Sequence, residues 1–304
     1  MSDATSSETA FRLVATDLDG TLLRDDKTIS ARTIAALRRV REAGIALVLV
    51  TGRPPRRLKS VARELDVTGL AICCNGAIVY DLAADAIVQH NTLAADVARQ
   101  LVVALREAAP GVCFAIERGL VFGHEPAYTQ ISQITEEDLP LSADAHMLCA
   151  EAVTKLIVRH PELPLDDLLR ISRGVAGERA AVTYSGAPFV EISAAGITKA
   201  SALAGLCDRL GITATEVIAF GDMPNDLPML AWAGRSVAVA NAHPEVLAVM
   251  DEVTAANEDD GVAIVLERLL EKKHHLKRNT ISVADFRAEF ITTKTPRTRR
   301  TQSK

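Results

Sequence analysis

The sequence lacks the features of a membrane, secreted or nucleic-acid-binding protein. No apolar run approaches the roughly 18 uncharged residues that a membrane span needs. The segment from Met1 to Thr9 has no apolar core of the kind found in a signal peptide. The net charge is −5, so the main body of the chain has no electrostatic support for binding nucleic acid. We therefore expect a cytoplasmic protein.

The cysteines do not form the pattern of a disulfide framework or a metal centre. Their number is odd, most lie in apolar surroundings, and no histidine or cysteine partner stands at metal-ligand spacing. The five are Cys73, Cys74, Cys113, Cys149 and Cys207. We predict reduced, buried thiols and assign no redox role to the adjacent pair Cys73-Cys74.

Length and composition predict a folded protein of about two domains. The chain has 304 residues, of which 48% are hydrophobic, so it can bury a sizeable core. It contains no internal repeat. From Lys272 onwards the composition changes to Lys, Arg, Thr and Ser.

Strand and helix patterns alternate in the first part of the chain. Leu13 to Thr16 is typical of a short buried strand, Ser30 caps a helix that Gly44 ends, and Ile45 to Val50 is a second buried strand. A strand, helix and strand in succession predict two parallel strands. With further buried strands at 70–74 and 217–220, the pattern predicts an α/β fold with a doubly wound, mainly parallel, Rossmann-like core sheet.

The middle of the chain has a different pattern, typical of an inserted domain. Segments 78–80 and 86–88 are predicted to form a hairpin that leaves the sheet, and residues 82–188 to form an α+β cap. A strand over 189–192 then returns to the main domain. The predicted core consists of residues 11–81 and 189–273.

The two ends are predicted to be disordered. Residues 1–10 are polar, and residues 274–304 form a basic tail with few apolar side chains. An alternative for this tail is that it binds an anionic partner.

Polar motifs follow the predicted strands at the points where those strands end. The carboxyl ends of parallel strands meet at one edge of a sheet, where binding sites collect. The motifs are Asp17-Leu18-Asp19-Gly20, Thr51-Gly52-Arg53, Lys199 at a helix start, and Gly221-Asp222-Met223-Pro224-Asn225-Asp226.

Each motif alone has an ordinary structural explanation. The first could be a surface turn, Lys199 a solvated charge, and Asp222 and Asp226 residues that favour a helix N-terminus. All of them occur together, however, in order and at the proper ends of their elements. This combination favours a single functional site.

The set resembles the haloacid dehalogenase-like hydrolase superfamily, and within it the Cof-type phosphatases, which carry a large α/β cap between the second and third motifs. The resemblance covers roughly residues 12–270. It implies that Asp17 is the nucleophile that forms an aspartyl-phosphate. It also implies that Asp19 protonates the leaving alkoxide and later deprotonates the attacking water.

The resemblance further implies a Mg²⁺ site and a phosphate site. The Mg²⁺ ligands would be Asp17, Asp222, the main-chain carbonyl of Asp19, and Asp226 directly or through water. The phosphate would be bound by the Leu18 N–H, Thr51, Gly52, Lys199 and Asn225, with Asn75 as a further contact for phosphate or substrate.

The expected function is a Mg²⁺-dependent phosphatase for small phosphorylated metabolites. By resemblance the default substrates are sugar phosphates, with pyridoxal phosphate or a flavin precursor as alternatives. A sugar phosphomutase of the same superfamily and a non-catalytic metabolite- or anion-binding protein remain alternative functions. In the cap, Glu117-Arg118 is interpreted as a charge pair at a hairpin tip rather than a substrate contact. His124, His146 and His160 are interpreted as solvated or locally paired.

Overall fold

The computed structural model describes residues 11–130 and 141–273, so both predicted disordered ends lie outside the described residues. The strands are β1 (Leu13–Thr16), β2 (Ala46–Val50), β3 (Leu70–Cys73), β4 (Ile78–Asp81), β5 (Ala86–His90), β6 (Cys113–Arg118), β7 (Val121–His124), β8 (Leu141–Ser142), β9 (Lys155–Arg159), β10 (Ala180–Thr183), β11 (Val190–Ala194), β12 (Val217–Gly221), β13 (Arg235–Val239) and β14 (Val253–Thr254). The α-helices are α1 (Ala31–Glu42), α2 (Pro55–Glu64), α3 (Ala95–Ala108), α4 (Ala145–Leu148), α5 (Leu165–Ala176), α6 (Lys199–Arg209), α7 (Leu227–Trp232), α8 (Pro244–Leu247) and α9 (Gly261–Lys273).

The larger sheet has eight strands in the order β14-β13-β12-β1-β2-β3-β4-β5. Among the six strands from β14 to β3, each adjacent pair is parallel. The predicted parallel pairing of β1 and β2 is confirmed, with Leu13 opposite Ala46. Helix α1 packs on α9 and α6 packs on α7, giving the predicted α/β core. Strand β1 lies between β12 and β2, so the residues that follow it emerge near the middle of the sheet edge.

The hairpin of β4 and β5 stays in this sheet, so the prediction that it leaves the sheet is wrong. Strand β4 pairs antiparallel with β3, and β5 pairs antiparallel with β4. Ile78, Val79 and Tyr80 are at most 1% exposed. Burial of these side chains at the edge of β3 explains why the hairpin continues the core sheet.

The smaller sheet has six strands in the order β10-β11-β9-β6-β7-β8, antiparallel except for the β7-β8 pair. It has its own apolar cluster, to which α3 and α5 contribute. Strand β11, predicted to return to the main domain, instead pairs with β9 and β10 in this sheet. The separate sheet supports an inserted cap, whose bounds at 82 and 188 stay a prediction.

All five cysteines are free and buried, which confirms the prediction of reduced, buried thiols. Burial raises the pKa of the Cys74 thiol to about 12, so this group stays protonated near neutral pH. Along 11–130 and 141–273, none of the helices is both long and apolar enough to span a bilayer.

The tight turn that joins β3 to β4 packs against the start of α6. Cys74, Asn75 and Gly76 have φ angles of 51°, 55° and 104°, three successive residues in the left-handed region. A Cβ atom on Gly76 would lie 2.2 Å from the main-chain oxygen of Thr198. Because Thr198 immediately precedes Lys199, a side chain at position 76 would push the start of α6 away from the sheet.

We expect Gly76→Ala to lower the free energy of unfolding by about 2 kcal/mol or more, because the added methyl group meets rigid backbone at a positive φ. Gly205→Ala in α6 is the matched control, since its Cβ meets nothing within 4 Å. It should raise the free energy of unfolding by about 0.5–1 kcal/mol. Urea unfolding curves measure both, and equal effects of the two substitutions would contradict this account of the turn.

Candidate active site

Three acidic side chains from different segments converge where β1 and β12 end. Asp17 follows β1, Asp222 follows β12, and Asp226 ends the short 3₁₀ turn that starts at Pro224. One oxygen from each carboxylate lies within 4.8 Å of the others. All three side chains are buried, with exposures of 5%, 5% and 0%. The structure thus brings together the residues that the sequence analysis placed at one sheet edge.

Main-chain and hydroxyl donors fix two of these carboxylates. Asp226 Oδ2 accepts hydrogen bonds from the main-chain N–H groups of Asp222 and Met223, at 3.1 and 3.0 Å. Thr21 Oγ1 donates to Asp222 Oδ1 at 2.6 Å. Gly20 is required beside them, because a Cβ atom at this position would lie 2.4 Å from Asp222 Oδ2.

Lys199 supplies a buried positive charge to the cluster. It is the first residue of α6, which Thr198 caps by accepting from the N–H of Ser201. Its Nζ donates to Asp17 Oδ1 and to Asp226 Oδ1, both at 2.6 Å. Burial acts to lower the pKa of Lys199, but the two carboxylates raise it, so the ammonium stays charged.

The remaining acidic groups still repel one another. Burial, with Asp226 and Asp222 nearby, raises the pKa of Asp17 well above its usual range, against the opposing effect of Lys199. Burial and then the charge of Asp226 raise the pKa of Asp222 to about 6. In the part of the chain that the structure describes, the three carboxylates therefore lie together, and the Lys199 ammonium contacts two of them, Asp17 and Asp226.

This donor set fits a hard divalent cation. All the ligand atoms offered are oxygens, and the excess negative charge is what a cation would neutralise. Asp17, Asp222 and Asp226 can hold such an ion with their carboxylates. The carboxylate of Asp19 does not join them, so its predicted contribution would come from its main-chain carbonyl.

Asp19 is instead held by two basic side chains. Arg53 donates to both carboxylate oxygens at 2.6 Å, and Lys27 Nζ lies 3.0 Å from Oδ1. Burial acts to raise the pKa of Asp19, but Arg53 and then Lys27 lower it below its usual range. The group is therefore ionised in this arrangement.

The predicted phosphate-binding residues lie around the acidic cluster. Thr51 follows β2, is 1% exposed, and accepts from the N–H of Arg53 at 3.1 Å. Leu18 is fully buried and its carbonyl accepts from the N–H groups of Leu22 and Leu23, which curls the loop after β1. Gly52 and Asn225 line the same cavity as Asp17.

The Asn75 side chain forms hydrogen bonds with two other side chains of the protein. Its Oδ1 accepts from Asn225 Nδ2 at 3.1 Å, and its Nδ2 donates to Glu191 Oε2 at 3.0 Å. The amide thus touches a predicted phosphate-binding residue on one side and the smaller sheet on the other.

A cavity of about 770 Å³ lies between the core and the smaller sheet. Side chains of the smaller sheet, of the 3₁₀ turn after β7 and of the segment before β11 form one wall of it. That wall includes Glu117, Phe122, Tyr128, Lys155, Ile157, Phe189 and Glu191. Asp17 and Asp222 lie on the opposite wall. A substrate placed against the acidic cluster would therefore meet both domains.

Three charged residues of this wall were missed or misjudged by the sequence analysis. Glu117 is 2% exposed and pairs with Arg56 of α2, so its interpretation as a charge at a hairpin tip is wrong. Lys155 and Glu191 pair with each other, at 3% and 2% exposure. The available signal was a charged residue next to apolar residues in each strand.

The histidines agree with their interpretation where the structure gives them a local partner. His124 is buried and its Nδ1 contacts the Glu125 carbonyl at 2.8 Å, while His160 Nε2 contacts the Pro110 carbonyl at 2.9 Å.

Comparisons with known proteins find haloacid dehalogenase-like hydrolases and phosphatases. A family model of haloacid dehalogenase-like hydrolases matches residues 14–266. The chain is 31% identical over 265 residues to the 5-amino-6-(5-phospho-D-ribitylamino)uracil phosphatase of Bacillus subtilis, covering 86% of this chain and 98% of that protein. It is 30% identical over 272 residues to the pyridoxal phosphate phosphatase of Escherichia coli, covering 83% and 96%. A solved haloacid dehalogenase-like hydrolase from Bacteroides thetaiotaomicron matches with a TM-score of 0.69 at 28% identity, covering 85% and 99%.

The electrostatic strain at Asp222 predicts a pH-dependent effect of neutralising it. Because its pKa is raised to about 6 in the folded state, the ionised group destabilises the metal-free protein above that pH. We expect Asp222→Asn to raise the free energy of unfolding at pH 7.5 in EDTA, on the order of 1–3 kcal/mol. The gain should shrink as pH falls through about 6, where wild-type Asp222 becomes protonated.

Thermal unfolding of both proteins at a series of pH values measures this difference. The Asn side chain keeps an oxygen to accept from Thr21, so the comparison isolates the charge. If Asp222→Asn lowered the free energy of unfolding by the same amount at every pH, the predicted electrostatic strain at Asp222 would be contradicted.

Proposed function

The chain belongs to the haloacid dehalogenase-like hydrolases, among their Cof-type phosphatases, and from this premise we propose that it hydrolyses small phosphorylated metabolites with Mg²⁺ through an aspartyl-phosphate intermediate. The observation that carries the proposal is the position of Asp17. Asp17 directly follows the central strand β1. Its carboxylate contacts Lys199, lies beside Asp222 and Asp226, and lines the cavity between the domains.

In the first step, the Asp17 carboxylate attacks phosphorus and the bond from phosphorus to the leaving oxygen breaks. A proton from Asp19 goes to that oxygen as it leaves. Water then attacks the phosphorus of the aspartyl-phosphate, Asp19 takes a proton from the water, and Asp17 is regenerated. Lys199 stays charged throughout and offsets the negative charge of the nucleophile and of the transferring group.

Mg²⁺ would be held by Asp17 and Asp222, with Asp226 and the Asp19 carbonyl as further oxygen ligands. When bound, it offsets the repulsion between an anionic nucleophile and an anionic phosphate. The Leu18 and Gly52 N–H groups, the Thr51 hydroxyl, Lys199 and Asn225 would hold the phosphoryl oxygens.

The ion pair between Asp19 and Arg53 affects how readily Asp19 can donate a proton to the leaving group. An Asp19 held by two basic groups is a poor acid, because its pKa is lowered. A bound phosphate offers Arg53 another anion to pair with. Substrate binding would thus release Asp19 from Arg53 and allow it to carry a proton to the leaving group.

The leaving group would be recognised mainly by the cap wall of the cavity. This wall combines charged groups, Glu117 and Lys155, with aromatic rings, Phe122 and Phe189. Sugar phosphates are the default substrates expected from the sequence, with pyridoxal phosphate or a flavin precursor as the alternatives. The names of the two relatives favour the alternatives, since one is a pyridoxal phosphate phosphatase and the other a 5-amino-6-(5-phospho-D-ribitylamino)uracil phosphatase. A cytoplasmic location stays a prediction from the sequence.

Phosphate release from a panel of phosphorylated metabolites, with Mg²⁺ and with EDTA, tests this function. We expect release that depends on Mg²⁺, and the ranking of substrates identifies what the cap recognises. Interconversion of sugar phosphate isomers with little phosphate release would favour the phosphomutase. No reaction with any compound would favour a binding protein.

We expect Asp17→Asn to lower kcat by about 10⁴-fold or more, because an amide cannot form the phosphoryl intermediate. The matched control is Asp66→Asn, which makes the same chemical change at a carboxylate that is exposed and outside the cavity. This control should keep the wild-type rate. A near wild-type rate for Asp17→Asn would show that Asp17 is not the nucleophile.

A further inference from the structure

A buried chain of hydrogen bonds connects the smaller sheet to Asn225. Asn225 Nδ2 donates to Asn75 Oδ1 at 3.1 Å, and Asn75 Nδ2 donates to Glu191 Oε2 at 3.0 Å. The three side chains are 8%, 4% and 2% exposed, respectively. Two core residues next to the acidic cluster are thus joined to a carboxylate on strand β11.

The charge of Glu191 decides which way both amides face. An amide has a donor end and an acceptor end of nearly equal size, and only its partners determine its orientation. Glu191 accepts from the Lys155 ammonium and from the Ser185 hydroxyl. Burial acts to raise the pKa of Glu191, but Lys155 and the donated hydrogen bonds lower it below its usual range, so the group only accepts.

Glu191 therefore determines the orientation of the Asn75 amide, and Asn75 in turn determines that of the Asn225 amide. Asn75 has to turn its NH₂ group towards Glu191, which leaves its oxygen facing Asn225. Asn225 in turn has to present its NH₂ group to that oxygen. The alternative orientation would place two oxygens against each other at one of the two contacts.

We propose that Glu191 is a positioning residue for the phosphate site, which acts through Asn75 to fix the amide orientation of Asn225. This role rests on the proposed function of Asn225 as a phosphate ligand. It leaves Asn225 with one N–H that can donate to a phosphoryl oxygen, while its amide oxygen can only accept. Within the described residues that buried oxygen has no hydrogen-bond partner, so Asn75 is the group that holds the amide in place.

The counterion of Glu191 extends the same arrangement to the second motif. Lys155 Nζ also donates to the Gly52 carbonyl at 2.9 Å. The main-chain N–H of Asn75 donates to the Thr51 carbonyl at 3.1 Å. A single charge pair in the smaller sheet therefore fixes two core segments that face the phosphate.

A double-mutant cycle on phosphate binding tests this role. The probe is inorganic phosphate, titrated by calorimetry in Mg²⁺ into wild type, Glu191→Gln, Asn225→Ala and the double variant. Glutamine keeps the shape of Glu191, but its neutral amide can face Asn75 with either end. We expect each single substitution to weaken phosphate binding about tenfold, the size of one hydrogen bond to a charged group.

The decisive result is the double variant. If Glu191 acts through Asn225, the double variant binds phosphate as weakly as Asn225→Ala alone. Additive losses, or unchanged binding by Glu191→Gln, would overturn the role, because a general effect on folding does not depend on the side chain at position 225. Melting temperatures recorded in parallel separate stability from binding.

Glu191→Gln leaves the buried Lys155 ammonium without its carboxylate, which can unfold the protein. The pair Lys155→Met with Glu191→Gln removes both charges together and then takes the place of Glu191→Gln in the cycle, with wild type, Asn225→Ala and the triple variant as the other three proteins. Turnover by the wild type is measured separately. A wild type that releases phosphate from substrates but gives additive losses overturns the positioning role alone. A wild type that binds phosphate without turnover overturns the proposed hydrolysis, and its cycle still decides the role of Glu191. A wild type that does not bind phosphate overturns both.

Discussion

The Lys199 ammonium between Asp17 and Asp226 is the contact on which the rest of the site depends. Burying three carboxylates is expensive, and one ammonium with main-chain donors recovers only part of that cost. The surrounding structure has to hold these groups together against their repulsion. It does so with β1 and β12, whose residues are fully buried at 0% exposure apart from Gly221. The buried apolar strands thus hold the three carboxylates close together despite their mutual repulsion.

The sequence was most informative where a residue's role follows from its position on an element. Asp17 and Asp222 could be placed together because each follows a buried strand, and parallel strands end at one edge. Lys199 could be placed because Thr198 is a strong N-cap. These predictions need only local pattern and a general rule of topology.

Contacts between distant segments could not be predicted in this way. Glu117 pairs with Arg56, 61 positions earlier, and Glu191 pairs with Asn75, 116 positions earlier. Strand periodicity shows which residues alternate, but not which sheet a strand joins. For this reason β11 was assigned to the wrong sheet, and the hairpin of β4 and β5 was predicted to leave a sheet that it extends.

The hydrogen bond from Lys155 to the Gly52 carbonyl has a consequence for protein engineering and for evolution. An inserted domain that covered the site without hydrogen bonds to the loops of the core could be exchanged for another domain of similar size. Here the smaller sheet supplies a hydrogen-bond donor to the Thr51-Gly52 loop of the core sheet. A chimera that received the insertion of a relative would inherit a defective core unless the lysine and its glutamate came with it. The two domains are therefore expected to diverge together, with new specificity arising by change within the insertion rather than by its replacement.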